Sequence, residues 1–271
     1  MLQYHVDGHA DSLLPEGRNW KLVWSDEFDG TELDTSKWDY RLNMMGKRHP
    51  AWDVEGVKLD GQSHAVFTIY EKDGKILSSQ LQTGHNYFDA PAEGDRNDGG
   101  QHWQLGAFKK AKYLKRYGYF ECRCRLQKKP GWWSAFWIQS PTIGCCPDAG
   151  IAGVEIDVME SFKPGNVIHH SSHDGGYGPD HHQIDAGKGG DMDVNKWHTF
   201  GVLWTSEGYS YYMDGELDGY TAGPVSHTPE FILISTEVLG YRMPQHAPVP
   251  EAYTALGDTF LVDHVRIFDW E

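Results

Sequence analysis

The sequence predicts an all-β protein, a sandwich or jelly roll. Three observations carry that expectation. Aromatic residues make up 13% of the chain, with 11 Trp, 14 Tyr and 31 Gly, and abundant aromatics between glycine turns mark a large sheet core. Apolar–polar alternation recurs in short segments separated by turn residues. Strong helical periodicity is absent. A length of 271 residues is ordinary for one large β domain. No repeat, low-complexity tract or linker divides the chain. The expected organisation is an N-terminal extension over residues 1–19 and a single domain over residues 20–271.

The elements follow in order. "WKLVWSDEF" from Trp20 is strand-like, and "DGTELDTSKW" is a loop with room for a short helical turn. "AVFTIYEKDGKILSSQLQ" reads as a hairpin whose turn is Asp73-Gly74, a dipeptide that adopts the left-handed turn conformations hairpins need. "YGYFECRCRLQ" alternates cleanly, and "GWWSAFWIQS" is aromatic and apolar. "GVEIDVMES" follows a Gly/Cys/Pro loop. "HTFGVLWTSEGYSYYMDGELDGY" reads as two strands around a Gly turn, with a second turn at Asp214-Gly215. "FILISTEVL" is a buried strand, and "TFLVDHVRIFDW" closes the chain.

Composition narrows the partners. The formal net charge is −15, the opposite of the basic footprint that a nucleic-acid binder needs. "KKAKYLKR", Lys109 to Arg116, is the most basic stretch and reads as a solvated strand face or loop. A neutral partner fits this balance best. No run of about 18 apolar residues marks a membrane span, and "MLQYHVDGHADSLLPEG" does not read as a signal peptide. Cys122, Cys124, Cys145 and Cys146 are too sparse for a disulfide scaffold, and their spacing suits zinc poorly. Buried free thiols are the expectation.

"VEIDVMES", Val154 to Ser161, poses the chemical question. It sets three acids in a strand of Val, Ile and Met, where like charges repel. Side chains alternate along a strand, so Glu155 and Asp157 share a face. The next position on that face is Met159. Glu160 joins the acidic row only if one extra residue bulges at Val158 or Met159, and bulges re-aim side chains beside active sites. Three acids in one cleft suit glycoside cleavage, where one carboxylate attacks and a second, protonated one serves the leaving oxygen. Repulsion from Asp157 would separate the pKa values into nucleophile and acid. Spacing alone leaves two alternatives open, a solvated sheet face and a calcium site.

Beyond the spacing, Glu155 to Glu160, "E-I-D-V-M-E", resembles the signature of glycoside hydrolase family 16. It is similar to the bulged form found in laminarinases, agarases, porphyranases and carrageenases. "LVWSDEFDG" from Leu22, "YGYFECRCRLQKKPGWWSAFWIQ" from Tyr117, "WHTFGVLWTSEGYSYYMDGE" from Trp197 and "LVDHVRIFDW" from Leu261 resemble further family segments in the same order. The resemblance covers about residues 20–271. It implies a β-jelly roll of two curved antiparallel sheets with a glycan across the concave face. It implies a retaining, endo-acting β-glycanase in which Glu155 is nucleophile, Glu160 general acid/base and Asp157 the assisting carboxylate. Trp133 and Trp137 match two cleft tryptophans; four residues apart in a strand, they share a face, while Trp132 points the other way. His173 matches a cleft histidine, with a zinc cluster among the neighbouring histidines as the alternative. Glu27, the Gly74 carbonyl and Asp263 match positions of a structural calcium. No cofactor is expected for catalysis. The implied setting is secreted, periplasmic or cell-surface, and the implied partner is a polysaccharide met by a monomer.

Three departures qualify the substrate. A laminarinase-type "NVAVGG" strand is here "ISTEVLG", placing Glu237 where a small apolar residue is usual. A "SGAIRS"-type segment is here "LGAFKK", without the Arg. The insertion "SPTIGCCPDAGIAG" before the acidic strand is long. These lean towards a β-galactan over a β-1,3-containing glucan, with Glu237 expected to bind sugar hydroxyls. The net charge argues against highly sulfated chains unless Lys109, Lys110 or Lys112 lines the cleft. Two other functions share these features: a jelly-roll lectin that binds without cutting, and a transglycosylase that uses the same acids.

Overall fold

Alternating strands can bury one face each only by stacking two sheets, and that is the observed architecture. The structure is a computed structural model and describes residues 1–89, 109–162, 168–189, 192–242 and 245–271. The inner sheet has seven strands. In spatial order they are His182–Lys188, His169–Asp174, Glu155–Ser161, Trp132–Gln139, Phe231–Val238, Gln80–Gln82 and Asp39–Tyr40. The outer sheet runs Glu216–Thr221, Gly208–Met213, His198–Thr205, Gly118–Arg125, Thr259–Trp270, Ala65–Thr68 and Val57–Leu59, with Trp20–Asp26 also paired to Thr259–Trp270. All strand pairings within the two sheets are antiparallel. The expected hairpin is present as Tyr70–Lys72 and Lys75–Leu77, and Asp73 and Gly74 both take positive φ in its turn.

The core lies between the sheets. Phe120, Cys122 and Cys124 point inward from one side and meet Phe136, Ile138, Ile156, Ile232 and Ile234 from the other. Trp132 is fully buried in this core, as its parity requires. That leaves Trp133, Ala135 and Trp137 on the opposite face of the same strand, where they line a cleft. Cys122 and Cys124 are buried thiols, as expected. Cys145 is exposed and Cys146 half-buried, because the long insertion runs as a surface loop into a short helix, Ala149–Ala152.

Residues 1–19 form more than a loose extension. Leu2–Tyr4 and Ser12–Leu14 pair as a hairpin laid on the outer sheet. Leu14 packs with Tyr119 and Phe268. Leu13 donates its N–H to Glu121 Oε2 at 2.8 Å, and Arg266 donates to the Ala10 carbonyl and to Ser12 Oγ. Glu121, His264 and Arg266 sit at strand positions that would otherwise face water, and all three are fully buried. Such groups are tolerated inside only when paired; Glu121 Oε1 lies 3.0 Å from His264 Nε2. No helix among the described residues is long and apolar enough to cross a membrane.

Candidate active site

The expected bulge is present, and Val158 is the extra residue. Against the strand Trp132–Gln139, Met159 pairs with Phe136 and Asp157 with Trp137, so Val158 has no opposite number. On the other side, the register jumps between Asp157↔Ser171 and Glu160↔His169. Val158 and Met159 both turn into the core. Glu155, Asp157 and Glu160 therefore line one cleft together. A bulge disrupts the ladder and leaves backbone groups to be satisfied elsewhere. Here His170 Nδ1 donates to the Val158 carbonyl at 2.7 Å. The buried imidazole stacks on Tyr211, and its Nε2 lies 3.1 Å from Asp218 Oδ2. Burial lowers the His170 pKa below its ordinary value, while the Val158 carbonyl and Asp218 act the other way.

The three acids differ in surroundings. Burial, then Asp157 and Glu155, push Glu160 well above the ordinary carboxyl range. Burial and Asp157 also raise Glu155, but His173, Tyr177 and Arg242 act against that rise. Asp157 accepts from Ser171 Oγ at 2.8 Å and lies 3.1 Å from His173 Nε2. The same hydroxyl reaches Glu160 Oε2 at 3.5 Å. His173 Nδ1 lies 2.8 Å from His181 Nε2. Burial alone would lower His173, but Asp157 and Glu155 outweigh it and hold the imidazole above its ordinary value. One face thus holds Glu160, raised the more strongly by burial and its acidic neighbours, beside Glu155 and Asp157, which accept hydrogen bonds.

The cleft encloses about 610 Å³ and is walled by Met44, Met45, Phe88, Phe162, Tyr177 and Tyr241. Trp133 and Trp137 both line it, yet neither is a bare platform. The Arg242 guanidinium lies over the Trp133 ring at 4.9 Å, and that of Arg41 over Trp137 at 5.1 Å. Trp137 is only 6% exposed and donates Nε1–H to Ser235 Oγ. Trp133 is the more accessible of the two.

The family model of glycosyl hydrolases family 16 matches residues 47–221, a span that includes the bulged strand and most of the inner sheet. The chain belongs to this family. It is 27% identical to a glucan endo-1,3-beta-glucosidase A1 of Niallia circulans over 91% of the chain, though it spans only 37% of that protein's length. It is 27% identical to a beta-glucanase of Rhodothermus marinus, covering 93% of the chain and 86% of that protein. Its fold resembles the endo-beta-1,3-glucanase of Pyrococcus furiosus, with a TM-score of 0.67 at 20% identity over 94% of this chain and 97% of that one.

Within this family 16 domain, some expected roles change. Glu237 lines the cleft, but Arg242 holds both its oxygens, Nε to Oε1 and Nη2 to Oε2, each at 2.9 Å. The buried carboxylate therefore anchors a guanidinium instead of offering free acceptors to sugar hydroxyls. The calcium expectation at Glu27, Gly74 and Asp263 does not fit either. Glu27 is gripped by Arg266, Nε to Oε1 at 3.0 Å and Nη2 to Oε2 at 2.7 Å. Asp263 accepts from Arg123 at 2.5 Å, with His264 at 3.6 Å. Oxygens already neutralised by guanidinium groups are poor cation ligands. Gly74 belongs to a separate hairpin turn with open space beside it.

The histidines do not gather as a zinc cluster. His170 serves the bulge, and His182 lies against Asp174. Glu155, Asp157 and His173 have ligand-type atoms within 4.8 Å of one another, the one such trio among the described residues; its members are two of the three cleft acids and the histidine beside them. Lys112 binds the Thr35 and Trp38 carbonyls and Asp39, and Lys109 and Lys110 are exposed outside the cleft lining. Residues 105–108 of the "LGAFKK" segment lie outside the described residues. Gln139, Ser171, Tyr177, Arg41 and Arg242 are site residues that the sequence reading missed. Parity could have found Gln139, two places beyond Trp137; nothing in the loop "GGYGPD" marks Tyr177.

Proposed function

We propose that this chain is a retaining endo-β-glycanase acting on an uncharged polysaccharide, a β-1,3-containing glucan or a β-galactan. The observation that carries this is the bulged strand, which brings Glu155, Asp157 and Glu160 to one cleft, with burial and then its acidic neighbours raising the pKa of Glu160. Glu155 attacks the anomeric carbon and forms a glycosyl ester. The bond to the leaving oxygen breaks, and Glu160 gives that oxygen its proton. With the leaving sugar gone, Glu160 takes a proton from water. The water attacks the same carbon and breaks the ester, restoring Glu155 and the original anomeric configuration. Asp157, tied to Ser171 and His173, keeps Glu160 protonated by charge repulsion and orients the row.

Charge supports an uncharged backbone. The described cleft residues include four acids, Glu155, Asp157, Glu160 and Glu237, against Arg41 and Arg242. Both guanidiniums are already paired, Arg41 with Asp89 and Arg242 with Glu237. Because Glu237 is occupied, it no longer favours galactan over glucan. A polymer too large to cross a membrane places the action outside the cytoplasm.

The test incubates the protein with laminarin, mixed-linkage β-glucan, agarose, porphyran, carrageenans and plain β-galactan. Oligosaccharide ladders from an unsulfated polymer, with the β-anomer formed first by NMR, are the expected result. Glu155→Gln should abolish turnover and spare glycan binding. Binding without cleavage across the panel would make the protein a lectin, and products longer than the substrate would make it a transglycosylase. Full activity in Glu155→Gln would overturn the assignment.

A further inference from the structure

Gln139 is a fully buried polar side chain on the cleft face, directly opposite Glu155 in the strand pairing. Its amide orientation is dictated by a chain of hydrogen bonds. Asn86 Oδ1 accepts the Asp89 backbone N–H at 2.8 Å, so the Asn86 amide group must point the other way. That group donates to Gln139 Oε1 at 2.6 Å and to Asp89 Oδ2 at 3.2 Å. Asp89 is in turn held by Arg41 Nε at 2.7 Å. With Oε1 taken, Gln139 presents Nε2 to the catalytic carboxylate, donating to Glu155 Oε2 at 2.9 Å. Tyr177, from the loop beyond strand His169–Asp174, accepts from the same Nε2 and donates its hydroxyl proton to the same Oε2. Every hydrogen bond to Glu155 among the described residues falls on that one oxygen.

We propose that Gln139, oriented by Asn86 and Asp89, acts with Tyr177 as a positioning pair that pins Glu155 Oε2 and leaves Oε1 as the attacking oxygen. The inference rests on Glu155 being the nucleophile. Donors to a carboxylate stabilise its charged form and lower its pKa, and a fixed carboxylate needs no reorganisation as the bond to carbon forms. The amide comes from the sheet and the phenol from a loop, and because they also bond to each other the three groups close a triangle around Oε2. Other groups act on Glu155 as well: Asp157 and Glu160 on its own strand, His173 on the next, Arg242 and the buried Glu230. None of them replaces the hydrogen bonds to Oε2.

The experiment measures kcat, KM and the pH dependence of kcat/KM on the polymer cleaved by the wild type, for Gln139→Met, Tyr177→Phe and Asn86→Asp. Gln139→Met and Tyr177→Phe should each lower kcat about tenfold and move the acidic limb up by about one pH unit, with little change in KM. Asn86→Asp touches nothing on Glu155. It removes the donor to Gln139 Oε1, so the Gln139 amide turns its oxygen to Glu155 and the acidic limb should rise there too. Circular dichroism and thermal melts confirm that each variant is folded. Folded Gln139→Met and Tyr177→Phe variants with the wild-type limb and kcat would overturn the positioning pair. An unmoved limb in Asn86→Asp alone would overturn the orientation by Asn86. These failures are distinct from failure of the nucleophile assignment, which is read separately from Glu155→Gln.

Discussion

Replacing His170 by Leu tests whether the catalytic bulge is a held structure. The imidazole supplies the donor for the Val158 carbonyl, and the pair is buried. A buried carbonyl left without a partner costs about 1–3 kcal/mol. The ring also stacks on Tyr211 at 5.1 Å with planes 26° apart, a contact worth about 0.5–1.5 kcal/mol beyond its burial. The sum is about 1.5–4.5 kcal/mol, or a fall in Tm of about 3–18 °C for a domain of this size. Stability alone would not reveal function, so kcat is read at 20 °C, where the variant stays folded. If the carbonyl rotates to find water, Glu160 two residues on is re-aimed, and kcat should fall at least about tenfold. Asn at position 170 puts an amide N–H near the place of Nδ1. It should recover most of kcat while keeping the Tm deficit from lost stacking. A His170→Leu enzyme that melts early yet turns over at the wild-type rate would refute this reasoning, because the bulge would then hold its shape uncapped.

Two further outcomes follow from the same geometry. Glu160→Gln should lose turnover of natural polymers and yet raise Tm at pH 7. The folded pKa of Glu160 lies above its unfolded value, so wild-type stability falls as pH rises between the two, and a neutral amide escapes that loss; melts at pH 5 and pH 8 should show the gap widening with pH. In wild-type enzyme the same group sets the basic limb, so activity falls as pH rises through its pKa. Trp133→Ala should raise KM about tenfold with a smaller change in kcat, through lost stacking and release of Arg242; an unchanged KM would remove Trp133 from the substrate platform.

Much of the fold was legible because it is a matter of parity. Alternation put Trp133 and Trp137 on one face and Trp132 on the other, the family resemblance named the first face as the cleft, and the structure has Trp132 in the core and the other two in the cleft lining. The broken alternation of E-I-D-V-M-E required one extra residue, and Val158 is that residue. Parity says which face a polar side chain occupies, but it does not say what that side chain meets. Glu237 was read as a sugar ligand because it stands where laminarinase-type segments carry a small apolar residue; its partner, Arg242, comes from the loop after the strand. Glu27 was read as a calcium ligand, but its partner Arg266 is 239 residues away in sequence. No local pattern links two such positions. Residues 1–19 were read as an extension for the same reason. Glu121 and Arg266 stand at outward positions and hold the N-terminal hairpin by hydrogen bonds, and His264 pairs with Glu121 beside it.

The missed site residues obey one physical rule. In the proposed role of Glu155, a carboxylate buried beside two other acids needs donors that cost no second charge, and amides and phenols meet that need. Gln139 and Tyr177 are such groups. A cation at either place would form an ion pair with Glu155 and weaken its attack. The same economy explains why the cleft's guanidiniums are each paired to a carboxylate outside the catalytic row, Arg41 to Asp89 and Arg242 to Glu237. Their guanidinium planes lie over the tryptophan rings while each ion pair satisfies most of their charge. The negative field of Asp157 and Glu155 is thus left largely intact, and with burial, the larger cause, it raises the pKa of Glu160.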